Sequence, residues 1–258
     1  MKKDKFYRLK KSEPNNYSVT AKLPYQSVHP PIEKETVENV FNFAYSMSYG
    51  GKGKHRPNRS GGKKKRGNRE IFIDAFQGKL AECALFKSLY KLPGAKEPDF
   101  DPKGLGEWDT VDIVVLGKDI SIKSTKYFGQ LLLLEQDDWD ENGFYIPNKK
   151  NYDYLALVRI KPSCDNIIKE QYPKLGKKCD DKERLKDIIC SQLWTYDYAG
   201  YITYNELKYI ITNKYMIPQG AALNGKIIMD AANYYVQAYD MNRIDENGDW
   251  LTDKKNTN

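Results

Sequence analysis

Residues 110–125 read TVDIVVLGKDISIKST, two runs of strand-forming residues on either side of Gly117-Lys118, which is the signature of a two-residue β-hairpin. With the turn placed on that pair, Val115 lies opposite Ile120, Ile113 opposite Ile122 and Asp112 opposite Lys123. Side chains alternate along a strand. Ile113, Val115, Ile120 and Ile122 therefore form one apolar face, while Asp112, Ser121 and Lys123 share the other. An aspartate facing a lysine in this way is either a cross-strand ion pair worth up to about 1 kcal/mol or part of a site.

The segment before the hairpin, Arg69 to Tyr90, has the period of a helix, with Ile71, Ala75, Gly78, Leu85 and Leu89 on one stripe. Glu82 falls on that stripe. A buried, unpaired carboxylate costs several kcal/mol, so Glu82 either meets a cation near Asp112 or the helix turns it to an edge where it reaches water. An earlier helix is expected over Ile32 to Met47, with Val37, Val40, Phe41 and Ala44 inward and Glu33, Glu35 and Glu38 early, as the helix dipole favours. After the hairpin, Phe128 to Trp139, containing LLLLE, reads as a buried helix, and YDYLALVRI at 152–160 as an interior strand. Asp181 to Leu193 reads as an amphipathic helix, and Gly200 to Lys214 as a short strand or turn entering a helix. Residues 1–31, closed by Pro30-Pro31, read as an extended arm, and the tail beyond Asp240 as frayed. The whole, 1–258, is expected to be one domain, with a core over 69–160 and a C-terminal part over 161–258.

The net charge of +7 comes from one place. Residues 50–69, GGKGKHRPNRSGGKKKRGNR, hold nine Lys and Arg and no acid, and the remaining 238 residues are slightly acidic. The loop is too rich in glycine and proline for a helix. Lys52, Lys54, Arg56, Arg59, Lys63, Lys64, Lys65, Arg66 and Arg69 either form a solvated insertion or grip a phosphate backbone and become ordered on it. No Gly-Lys is followed by Ser or Thr, which excludes a nucleoside-triphosphate cradle of the P-loop kind.

Other classes are also disfavoured. The four cysteines, Cys83, Cys164, Cys179 and Cys190, form no C-x-x-C pair, and His29 and His55 are the only histidines, which argues against structural zinc, a disulfide framework and a histidine-based nucleophile. No run of apolar residues is long enough to span a membrane, no apolar stretch follows the basic N-terminus, and a cytoplasmic protein is expected. Asp138, Asp140, Asn142 and Gly143 match the start of a calcium loop, but Lys149 stands where the bidentate glutamate belongs, so the segment reads as an acidic turn.

A helix containing GKLAE, a strand aspartate in TVDIVV and then SIKST together resemble the PD-(D/E)xK nuclease superfamily, specifically its type II restriction endonucleases, over roughly residues 69–160. The resemblance implies an α/β fold, a restriction-endonuclease-like mixed β-sheet core flanked by helices. It implies Mg²⁺ held by Asp112, with Glu82 supporting the metal or its waters and Lys123 orienting or activating the attacking water. Double-stranded DNA would be the substrate and a homodimer the assembly. Ser121 departs from the pattern, because the family has an acid two positions before the lysine. In one branch that position is serine and the acid lies on a following helix, which Glu135 approximately matches as a further metal ligand. The related alternatives are a repair or phage-type nuclease of the same fold, and a nucleic-acid-binding protein that has lost catalysis at Ser121.

Overall fold

A computed structural model of the chain describes residues 5–52, 58–101, 112–245 and 248–252; Lys54, His55 and Arg56 lie outside the described residues. The described chain opens with a small hairpin, β1 (Lys10–Ser12) and β2 (Asn16–Ser18), followed by helices α1 (Lys34–Ser48) and α2 (Asn68–Leu89). Strands β3 (Ile113–Val115), β4 (Lys118–Lys126), β5 (Leu131–Glu135) and β6 (Tyr154–Lys161) come next. Helices α3 (Cys164–Gln171) and α4 (Lys182–Cys190) precede β7 (Thr195–Thr203) and α5 (Tyr204–Thr212). Four short strands end the order: β8 (Met216–Ile217), β9 (Ala222–Leu223), β10 (Ile227–Ile228) and β11 (Asn233–Gln237). The protein is therefore of the α/β class.

The central sheet runs β3-β4-β6-β7 and is mixed: β3 and β4 are antiparallel, β4 and β6 parallel, β6 and β7 antiparallel. One face of it, through Ile113, Val115, Ile120, Ala156 and Val158, packs on α1, α2 and α4. Leu155, Leu157 and Ile202 on the other face pack against a second sheet, β5-β11-β8, together with α5. Because a strand buried on both faces needs apolar residues at every position, β6 is the interior strand its sequence suggests. Of its residues only Lys161 is exposed.

Helices α1 and α2 form where the periodicity places them, but α2 is rotated. Phe72, Phe76, Leu80 and Ala84 make the buried ridge, and Ile71, Ala75, Gly78 and Glu82 are moved to a half-buried flank. The bulkiest side chains set this angle: Phe76 meets the ring of Trp194 at 4.9 Å, and Phe72 meets Phe41 at 5.7 Å.

Three further expectations are corrected. The hairpin turns on Leu116-Gly117, both with positive φ (52° and 69°), so Ile113 pairs with Ile120 and Val115 with Lys118. Such a turn needs left-handed backbone at both central residues. Leu116 is held there by its own N–H, which donates to Pro93 O at 2.9 Å. Each residue of β3 thus pairs two positions earlier on β4 than expected, which preserves the faces but removes Asp112 from opposite Lys123. The leucine run is strand β5, not a helix, pairing Leu131 with Gln237 and Glu135 with Asn233 on β11. A short apolar run looks the same in either conformation until its partner is known. Finally, the described part of the tail, 241–245 and 248–252, is packed rather than frayed. Trp250 and Leu251 are buried, with Trp250 4.6 Å from the ring of Tyr201.

Candidate active site

The β3-β4 ladder ends at Ile113-Ile120, and Asp112 lies one residue beyond, facing Ser121. Its Oδ2 accepts the Ile122 N–H at 2.5 Å and the Ser121 hydroxyl at 3.3 Å. These two donors fix the carboxylate in the notch where the strands part. Helix α2 closes the notch with its last turns, from which Glu82 approaches. Glu82 is ion-paired with Lys79, one helical turn earlier, whose ammonium also stands 4.8 Å from the face of Phe43.

Burial pushes both carboxyls up. For Glu82 the value reaches about 7, because the charges of Asp112 and Asp99 add to the loss of water while Lys79 opposes both. For Asp112 burial outweighs the opposing ammonium of Lys123, the Ile122 N–H, Lys79 and the Ser121 hydroxyl. Two half-buried acids therefore share one notch, faced by the ammoniums of Lys79 and Lys123.

Lys123 is half-buried on β4, paired with Leu157 of β6. It is a diagonal rather than a direct neighbour of Asp112 yet still acts on its charge. Among the described residues its ammonium makes no hydrogen bond or ion pair. Its ammonium is thus available to a substrate.

Ser121 is buried at the position where the resemblance expects an acid, and it gives a donor to Asp112 instead. Glu135 does not join this group. It ends β5, where its carboxylate accepts the Ser60 N–H at 2.8 Å and meets Arg59 at 3.4 Å. Among the described residues no three His, Cys, Asp or Glu side chains are grouped to hold a metal, so the three-carboxylate set of Asp112, Glu82 and Glu135 gives way to the pair Asp112 and Glu82.

Much of the basic loop is turned onto the body of the protein. Arg59 reaches Asp74 at 3.5 Å and Glu70 at 4.0 Å, besides Glu135. Lys64 meets Glu70, Arg66 meets Asp74 and Arg69 meets Asp165. Asp230 Oδ1 accepts the N–H groups of Lys63 and Lys64, and the Gln219 amide donates to Gly61 O. A side chain at Gly61 or Gly62 would strike Asp137 or Asp230, with the added Cβ only 2.6 and 2.5 Å from carboxylate oxygens. The described part of the loop, 58–69, is therefore held by the protein's own carboxylates before any phosphate arrives, and the side chains of Lys52, Lys63 and Lys65 remain exposed.

Sequence reasoning missed Lys79 and Asp230. The first was legible, since K-x-x-E on a helix places both groups on one side; the second, 168 positions from Gly62, had no local signal. No protein-family model, curated protein or solved structure matches the chain.

Proposed function

We propose that the protein is a Mg²⁺-dependent endonuclease acting on double-stranded DNA, of the restriction type. The observation that carries this reading is the convergence of two half-buried carboxylates, Asp112 and Glu82, with the available ammonium of Lys123 at the opening of one hairpin. The donor set suits the ion: Mg²⁺ is commonly held by one or two carboxylates, with water and phosphate oxygens completing its shell. When bound, Mg²⁺ polarises the phosphoryl oxygen and makes water a stronger nucleophile. Asp112 and Glu82 would hold it, and Ser121 with the Ile122 N–H keeps Asp112 aimed. Lys123 stabilises the negative charge that develops as the phosphoryl group is attacked. Lys52, Lys63 and Lys65 offer ammonium groups to the flanking backbone, which positions a duplex without reading its sequence.

Ser121 favours a second reading, a nucleic-acid-binding protein without catalysis, because the acid expected there is absent. A plasmid assay separates the two. The expected result in Mg²⁺ is discrete fragments, with Asp112→Asn and Lys123→Ala each reducing the rate by at least about a hundredfold while the melting temperature is kept. Binding without cleavage by the wild-type protein in Mg²⁺ or Mn²⁺ would favour the second reading. A smear instead of fragments would point to a repair or phage-type nuclease.

A further inference from the structure

Lys79 is buried, with a relative exposure of 7% for the residue and 8% for its side chain, although lysine is among the residues least often buried. A buried ammonium is tolerated only when paired. Among the described residues Lys79 contacts the Glu82 carboxylate and the face of Phe43, the latter at 4.8 Å, and its charge also acts on Asp112. Phe43 is itself buried on α1, so the lysine stem is enclosed between the two helices and its head has little choice of position. The ammonium thus occupies one side of a carboxylate that, on the reading above, is a metal ligand.

We propose that Lys79 is an internal cation competing with the divalent metal for Glu82, holding the site together when metal is absent and yielding its carboxylate partner when metal enters. The inference rests on the metal-site reading of Asp112 and Glu82. A dication arriving at two carboxylates already faced by the ammoniums of Lys79 and Lys123 meets a notch whose formal charge is balanced. Entry therefore requires an ammonium to withdraw, and Lys79 is the one in direct contact. The ring of Phe43 gives the displaced head a second favourable partner without a return to water. Lys79 is thus a positioning residue that weakens metal binding and keeps the metal-free notch from repelling itself open.

Titration of the full chain with Mn²⁺, followed by the paramagnetic resonance signal of free Mn²⁺, tests this without reference to cleavage. Lys79→Met keeps the stem against Phe43 and removes the charge, and should tighten Mn²⁺ binding by about tenfold or more, the size expected for loss of one competing charge-assisted hydrogen bond. Lys79→Arg keeps the charge and should bind as wild type. If Lys79→Met does not fold, Lys79→Gln, which retains a donor to Glu82 without charge, should show the same direction. Unchanged or weaker Mn²⁺ binding in a folded, uncharged variant overturns the inference and leaves the metal site standing. Equal binding by wild type and Asp112→Asn would instead remove the metal site itself.

Discussion

Asp112, Glu82 and Ser121 show how much one side chain decides in a dry notch. A carboxylate at 121 would be a third acid, 3% exposed, directly facing Asp112. The hydroxyl avoids that repulsion and satisfies Asp112 instead. We expect Ser121→Glu to destabilise the metal-free protein by about 2 kcal/mol or more at pH 8, since an unpaired charge is added to a buried site. A carboxyl whose folded value lies above its unfolded one costs stability as pH rises, so this deficit should shrink towards pH 4. Urea midpoints at both values check it, and equal midpoints for the variant and wild type at pH 8 would show that position 121 has room and water for an acid. Glu135→Ala belongs to a different place. It should loosen the basic loop, seen as faster proteolysis near Ser60, rather than remove a metal ligand.

At the level of elements, the fold is joined by carboxylates that hold segments distant in the chain. Asp165 on α3 takes Arg69 from α2 at 3.3 Å, Lys126 from β4 at 3.2 Å and Lys169 at 2.7 Å. Burial alone would raise its carboxyl, but Lys169 and Lys126 outweigh that and hold it below its ordinary 3.8. The stability it contributes is then present above that ordinary value and is lost as pH falls through the lower, folded one. Asp165→Asn should therefore cost about 1 kcal/mol at pH 7, a modest figure because the pairs face solvent, and the gap should close in strong acid. A thermal melt of both proteins across pH 2 to 7 decides it, and a gap that persists at the acid end would assign the loss to packing.

The basic loop is a second such element. With Arg59, Lys64, Arg66 and Arg69 occupied by carboxylates, the proposed DNA contacts would fall to the exposed lysines. Lys63→Glu with Lys65→Glu should weaken DNA binding and reduce the slope of log affinity against log salt by roughly 2, since each phosphate contact contributes about 0.9. Gly62→Ala should undock the segment that Asp230 holds, by collision with its carboxylate. A slope that the double lysine variant leaves unchanged would return the loop to a structural role.

For the whole molecule the decisive joint is Arg159, fully buried on β6. Its guanidinium takes Asp197 of β7 through Nε at 2.7 Å and Nη2 at 2.5 Å. The remaining donors reach Leu23 O at 2.7 Å and Pro24 O at 2.9 Å, which straps the N-terminal arm across the central sheet. Gln237 and Gln130 hold the same arm through the Thr20 and Leu23 N–H groups. Arg159→Met should cost about 3–5 kcal/mol, because Asp197 is left as a buried charge without its partner. Chemical denaturation measures that, and the arm should become protease-sensitive at the same time. A loss under about 1 kcal/mol would mean that water replaces the guanidinium.

Local chemistry was enough to mark the two long helices, the hairpin and its apolar face, and the interior strand read at 152–160 and found at Tyr154–Lys161; the capping box of Thr203 and Glu206 at the start of α5 came only with the structure. It also marked Asp112, Ser121, Lys123 and Glu82 as one neighbourhood, because period two along a strand and three to four along a helix are properties of the backbone itself. What only the tertiary structure decided depends on partners far along the chain. The leucines at 131–134 became a strand because β11 pairs with them a hundred residues later. Glu135 went to Arg59 instead of the notch for the same reason, and the angle of α2 was set by Phe72 and Phe76 against Phe41 and Trp194. Periodicity reports which side of an element is apolar; the direction that side finally faces is fixed by the largest side chains and by the buried charges that must find a partner.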